Sequence, residues 1–253
     1  QLKNVSYKGT LEDGIGYIKL DRFSRYAENE IVSALNEISS KGEVKGIILD
    51  LRGNPGGLLG AAIGILNKFR KKGDLLLTTK GRKLDSERKY FATENPLIPA
   101  DVPLVLLIDE NSASASEIVA GAIQDLDRGV LVGTKSFGKG LVQVFQQLSF
   151  GNQLKITNQK YFTPSGRWIQ AKNYFKENKY GVFKPNPYFN QKEFKTINGR
   201  IVYAEGGITP DQVVDVIKDN ELLEALNYED MYYRFAVKYT SENPAGSSFV
   251  MND

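Results

Sequence analysis

The sequence predicts an α/β fold built on a largely parallel sheet, and three observations carry the prediction. Residues 44–51 (VKGIILDL) and 102–108 (VPLVLLI) are apolar runs of strand length, the pattern of strands buried on both faces. Strand-like and helix-like segments alternate through the middle of the chain, which is how helical crossovers of a parallel sheet are encoded. The turns after these strands are rich in Gly or Ser: RGNPGG at 52–57, NSASASE at 111–117 and GTKSFGKG at 133–140. Ligands of open α/β sheets bind at the carboxyl ends of the strands, so three such turns can converge on one site.

Taken in order, residues 14–20 read as a strand, and Ile31, Leu35 and Ile38 keep the helical spacing of an amphipathic helix over about 27–41. After the strand at 44–51 and its Gly turn, a helix runs to about Phe69, and 75–79 form a strand. Residues 80–100, with Pro96 and Pro99, read as a loop or hairpin excursion. The strand at 102–108 leads through the Ser-rich turn into a helix ending near Asp127, followed by a short strand at 129–133. Residues 141–150 and 153–162 read as a hairpin around Phe150-Gly151-Asn152. From 163 to 210 the chain is rich in Tyr, Phe, Pro, Asn and Gly, which predicts an irregular, β-rich excursion. Apolar positions 222, 225, 226, 232, 235, 236 and 239 predict one helix over about 221–239, with a loop from Ser241. These readings put the central α/β part at 10–165 within a core of 1–215, and a helical extension at 216–253.

Composition narrows the chemistry. The chain has 253 residues, 41% apolar and 25% charged, as an ordinary globular protein does. A net charge of +3 argues against nucleic acid as the main partner, and no apolar run reaches the ~18 residues of a membrane span. Gln1 is not an initiator Met, so the chain reads as a processed or excised piece. There is no Cys, which removes thiol nucleophiles and disulfides, and no His, which removes the Ser-His-Asp triad and nearly every catalytic zinc site. A hydrolytic mechanism here must take Lys or a carboxylate as its base. No acidic cluster has calcium-loop spacing, so neither metal nor cofactor is expected.

Each suspicious turn has a plain reading beside the chemical one. Ser114-x-x-Glu117 fits a helix capping box, yet a hydroxyl between a strand end and a helix N-terminus is also where a nucleophile sits. The glycines of 52–57 fit a tight turn, or a backbone N–H offered to an oxyanion. Gly133-x4-Gly138-Lys139 is one residue short of a phosphate-binding loop and leads into β-rich sequence instead of a helix, so nucleotide binding is set aside. Lys139 is flanked by Phe137, Gly138, Gly140, Leu141 and Val142, with no acid near it in sequence. A lysine base needs such an apolar setting, because an ordinary ammonium, with a pKa of ~10.4, is almost wholly protonated at neutral pH.

The stretch 112–143 (SASASEIVAGAIQDLDRGVLVGTKSFGKGLVQ) resembles the active-site segment of the carboxy-terminal processing, or tail-specific, proteases, which are Ser-Lys serine endopeptidases. ILDLRGNPGGLL (48–59), YFTPSGRWIQ (161–170) and GGITPD (206–211) are similar to the same family. The resemblance implies Ser114 as nucleophile, Lys139 as general base, Gln143 as the residue that positions the lysine, and Gly57 and Ala115 as oxyanion donors. Asp125 matches a position of structural role. Ser112 and Ser116 compete with Ser114 on sequence alone, and only the match separates them. The resemblance further implies a ClpP/crotonase-like core, unfolded or C-terminally exposed protein substrates, a PDZ domain upstream in the full-length protein, and a periplasmic or cell-envelope location. Two rival readings stand beside it: a non-catalytic lipid- or peptide-binding module on the same fold, and a crotonase-like acyl-CoA enzyme.

Overall fold

A computed structural model describes residues 3–177, 183–185, 192–204, 206–214 and 221–242. The chain divides into two units, Gln1–Asp215 and Val216–Asp253. The first unit opens with β1 (Val5–Thr10) and β2 (Ile15–Leu20), followed by α1 (Ala27–Ser40), β3 (Gly46–Asp50) and α2 (Leu59–Asn67). The hairpin β4 (Leu75–Gly81) and β5 (Arg88–Phe91) intervenes before β6 (Leu104–Ile108), α3 (Ala115–Asp125) and β7 (Val130–Gly133). A long hairpin, β8 (Leu141–Gln147) and β9 (Gln153–Phe162), comes next. The expected β-rich excursion contains short strands: β10 (Lys172–Glu177), β11 (Phe183–Pro185), β12 (Glu193–Lys195), β13 (Ile201–Tyr203) and β14 (Gln212–Val213). Parts of that excursion, 178–182, 186–191 and 205, lie outside the described residues.

Two larger sheets organise this unit. The first has the order β1-β2-β3-β6-β7-β14, with β1 antiparallel to β2 and every other pairing parallel. Its central strands bury Ile18, Leu20, Ile47, Leu49, Leu104, Leu106, Ile108 and Leu131. Removing each such side chain from water contributes about 1.5–3 kcal/mol, which is why unbroken apolar runs encode these strands. The second sheet is antiparallel, in the order β5-β4-β9-β8.

Helix α1 shows one apolar face, with Ala27, Ile31, Ala34, Leu35 and Ile38 buried and the residues between them exposed or partly so. Helix α3 differs: all of its residues from Ala115 to Asp125 are buried. It packs on α2, β7 and β4, and a Cβ added at Gly121 would stand 2.7 Å from Thr163 and 3.2 Å from Ile208.

The second unit corrects one expectation. The single helix over 221–239 is two helices, α4 (Glu221–Tyr228) and α5 (Met231–Glu242), parted at Glu229 and Asp230. Asp230 takes a φ of 52°, which no helix continues through. Ser241, expected to open a loop, lies instead in the last turn of α5, and 243–253 lie outside the described residues. Among the described residues no helix is long and apolar enough to cross a membrane.

Candidate active site

Loops from the carboxyl ends of β3, β6 and β7 meet in one place. Gly53 N–H donates to Asp109 Oδ1 and Oδ2 at 2.9 and 3.0 Å. Ala113 N–H donates to the Asn54 carbonyl at 3.0 Å, and Phe137 N–H to the Ser112 carbonyl at 3.1 Å. Buried Asn54 pins the first loop from within, donating through Nδ2 to the Leu20 carbonyl at 2.6 Å and accepting from Gly56 N–H at 2.9 Å. The three turns singled out by composition are therefore one hydrogen-bonded cluster.

Glycine is required where these loops touch. A Cβ on Gly56, at φ 97°, would lie 2.5 Å from the Ala113 carbonyl oxygen, 2.8 Å from Ala115 N and 2.9 Å from Ser114 Cβ. On Gly57 it would lie 2.2 Å from the Phe23 carbonyl oxygen. Phe23 and Gly57 pair as an isolated parallel bridge, in which Phe23 N–H donates to the Gly56 carbonyl at 3.0 Å and Leu58 N–H to the Phe23 carbonyl at 2.7 Å. That pattern uses the N–H of Leu58 and leaves the N–H of Gly57 without an acceptor among the described residues. Ala115 is the first residue of α3, where an N–H has no partner within the helix.

The three serines have different fates. Ser112 is fully buried, and its Oγ donates to the Leu51 carbonyl at 2.8 Å while accepting from Asp109 N–H at 3.0 Å. Ser116 is fully buried, with its Oγ on the Asn54 carbonyl at 2.9 Å. Both hydroxyls fasten the 111–117 turn to the 51–54 loop. Ser114 is only half-buried and sits at φ 55°, ψ −110°. A non-glycine residue held there stores about 1–3 kcal/mol of strain, as nucleophiles on sharp strand-to-helix turns do.

Glu117 ties this turn to the lysine loop. With Ser114 it has the arrangement of a capping box, in which Ser114 N–H donates to Oε2 at 2.8 Å. The same Oε2 accepts from Lys139 N–H at 2.8 Å, and Oε1 accepts from Gly138 N–H and Ser136 Oγ, both at 2.6 Å. The backbone nitrogens of Ser114 and Lys139 therefore lie within two hydrogen-bond lengths of each other. Glu117 is wholly buried, and burial holds its carboxyl above the ordinary carboxylate range against the opposing pull of these donors.

The other motifs brace the lysine loop from behind. Ser136 Oγ accepts from Ile208 N–H at 2.7 Å, and a Cβ on Gly207 would meet the Ser136 carbonyl oxygen at 2.4 Å. Gly140 N–H donates to Gln170 Oε1 at 2.8 Å, and Trp168 Nε1 donates to the Gly140 carbonyl at 3.0 Å. Tyr161, buried on β9, donates to the Ser114 carbonyl at 3.3 Å. Burial and then the Glu117 charge hold its phenol well above its ordinary range, so it stays a neutral donor. Asp125 is paired with buried Arg167 and accepts from Ser165 N–H at 2.9 Å.

Lys139 is half-buried, and its Nζ has no ion-pair partner among the described residues. Gln143 lies exposed on β8, and its Nε2 reaches Thr157 on β9 at 3.3 Å. The fold thus gathers Gly57, Ser114, Ala115 and the Lys139 backbone, while the Gln143 amide is spent on β9. Beside them, buried Asp50 accepts from Arg52 Nε at 3.0 Å, Arg52 Nη2 at 2.7 Å and the Tyr17 hydroxyl at 2.5 Å. Burial works to raise the Asp50 carboxyl, and the bonds from Arg52 and Tyr17 overcome it, leaving it below the ordinary range. Among the described residues no group of three or more acidic, His or Cys side chains is placed to hold a metal ion.

Known proteins are similar to this sequence. A carboxy-terminal-processing protease of Bartonella bacilliformis is 42% identical over 174 residues, and a carboxyl-terminal-processing protease of Picosynechococcus is 43% identical over 150. These alignments cover 68% and 59% of this chain but 39% and 35% of the relatives' own lengths. Among solved structures, the photosystem II D1 C-terminal processing protease superposes with a TM-score of 0.59 at 29% identity, covering 84% of this chain and 46% of that one. The model of peptidase family S41 matches residues 14–178, a stretch that takes in β2 through β9 and both loops joined at Glu117. More than half of the sequence falls within that match, and the chain belongs to peptidase family S41.

Proposed function

We propose that the chain is the catalytic core of a serine endopeptidase that cuts unfolded or C-terminally exposed proteins near their C-termini. One observation carries the reading: a single buried carboxylate oxygen of Glu117 accepts from the backbone of both Ser114 and Lys139, fixing nucleophile and base loops in one register. In this mechanism the neutral amine of Lys139 takes the proton of Ser114, whose oxygen attacks the peptide carbonyl. The unspent N–H groups of Gly57 and Ala115 receive the negative charge that develops on the carbonyl oxygen. Protonated Lys139 then gives its proton to the leaving amine, and water releases the acyl group from Ser114. Gln143 is the residue assigned to orient Lys139.

Support for Ser114 over its neighbours comes from hydroxyl chemistry, since Ser112 and Ser116 are buried and committed to backbone carbonyls. The four adjacent parallel strands β2, β3, β6 and β7, with helical crossovers between them, support a ClpP/crotonase-like core. A periplasmic or cell-envelope location follows from the same family reading and is checked by fractionating the source cells.

The test is cleavage of an unfolded protein by wild type, Ser114→Ala and Lys139→Ala. Each variant is expected to lose at least about 10³-fold in kcat, as removal of a nucleophile or its base does. Near-wild-type turnover by either variant would sink the assignment.

A further inference from the structure

A cavity of about 680 Å³ opens beside the glycine loop, with Gly56 and Gly57 in one wall. Lys19, Arg22 and Arg52 line it as cations and Asp21 as its one carboxylate. Arg52 is held by Asp50 through Nε and Nη2, which leaves the donors of Nη1 outside that pair. The Arg52 side chain is half exposed. Lys19 stands 3.9 Å from the same Asp50, too far for a hydrogen bond. Arg22 is exposed on the turn after β2 and forms no ion pair among the described residues. An excess of cations in a concave wall focuses field toward an anion, and guanidinium forks match a carboxylate in shape.

We propose that this cavity is a carboxylate subsite that selects substrates carrying a negative group close to the scissile bond. The inference rests on the endopeptidase reading only for placing the scissile carbonyl at Gly57. An extended peptide advances ~3.3 Å per residue, so a group in a cavity walled by Gly57 belongs to a residue within about three of the cut. Two sources supply such a carboxylate: the α-carboxylate of a chain terminus, or an Asp or Glu side chain. Arg22 is the specificity residue, because its charge is not spent on an ion pair within the described fold. Arg52 contributes from a fixed position set by Asp50.

The experiment uses two pairs of fluorescent peptides that share one cleavable sequence. One pair ends in a free acid or an amide; the other is amidated and carries Glu or Gln as its last residue. Binding is read by anisotropy to the full chain carrying Ser114→Ala, with and without Arg22→Gln, and kcat/KM is read on chains with Ser114 intact. The acid peptide is expected to bind roughly fivefold or more tightly than its amide, with the preference shrinking as salt rises. Arg22→Gln should bring the ratio close to one. Preference within the first pair assigns the α-carboxylate, and within the second a side chain. Equal binding in both pairs, or a preference that survives Arg22→Gln, overturns the subsite. Binding is independent of turnover: a carboxylate preference without cleavage would defeat the endopeptidase reading alone, and cleavage without the preference would defeat the subsite alone.

Discussion

Glu117 is buried, forms no ion pair among the described residues, and accepts four hydrogen bonds from two loops more than twenty residues apart in sequence. Glu117→Gln keeps the shape but turns one acceptor oxygen into a donor facing donors. It should destabilise the chain by about 1–3 kcal/mol and lower kcat about 10²-fold with little change in KM, because a small displacement of nucleophile against base is felt in the chemical step. Steady-state kinetics beside thermal unfolding would check this, and an unchanged kcat would refute it. Asp50 gives a pH signature. Its folded carboxyl lies below its ordinary value of 3.8, so its stabilisation is fully present above that value and is lost as pH falls through the lower folded one. Urea unfolding should find Asp50→Asn less stable than wild type by about 1–3 kcal/mol at pH 6, with the gap closing below pH ~4. At this scale the sequence was half legible. Ser114-x-x-Glu117 was readable as a cap because the spacing is local. The second task of Glu117 was not, because nothing in sequence reveals that 136–139 folds back over the start of α3. The choice among three serines likewise rests on resemblance in the sequence, which does not reveal that Ser112 and Ser116 are buried with their hydroxyls on backbone carbonyls.

Among the elements, α2 and the loop before it show how differently one residue type behaves. Gly56→Ala places a methyl against the Ala113 carbonyl and Ala115 N, in a backbone region alanine avoids. Expected losses are about 2–4 kcal/mol in stability and at least about 10²-fold in activity, since the strain falls on the turn that carries Ser114. Gly60→Ala, in α2 with nothing within 4 Å of the added methyl, should instead stabilise by about 0.5–1 kcal/mol. Denaturant titration of both variants checks the contrast. The buried parallel strands and α1 could be read beforehand because apolar runs and helical spacing are properties of the chain itself. Strand β1 escaped because only Val5 of its six residues is buried, so an edge strand of this kind leaves no alternation to read. Strand β5 was covered only by a general hairpin expectation, and its mostly exposed Arg88–Phe91 shows why. The break at Asp230 was invisible because apolar spacing continues across it in register.

At the scale of the molecule, the two larger sheets and the returning residues Thr163, Arg167 and Ile208 close around α3. Parallel strand β7 and antiparallel strand β4 both touch it, Arg167 is paired to Asp125, and Thr163 and Ile208 press on Gly121. That enclosure was not legible in the sequence, which shows a helix of mixed polarity, with Ser116, Glu117, Gln124 and Asp125 that one would assign to water. Each of these is buried because it bonds across to another loop or strand. The consequence concerns how freely this protein can vary. An ordinary helix such as α1 has exposed positions at Asn29, Ser33, Asn36 and Glu37 where most residues are harmless. Helix α3 has none. Saturation mutagenesis scored by retained fold should therefore give a comb of tolerant and intolerant sites along 27–40, and one unbroken intolerant block along 115–125. The helix that begins at Ser114 is thus the segment with the least room to drift, for reasons of space before any reason of chemistry.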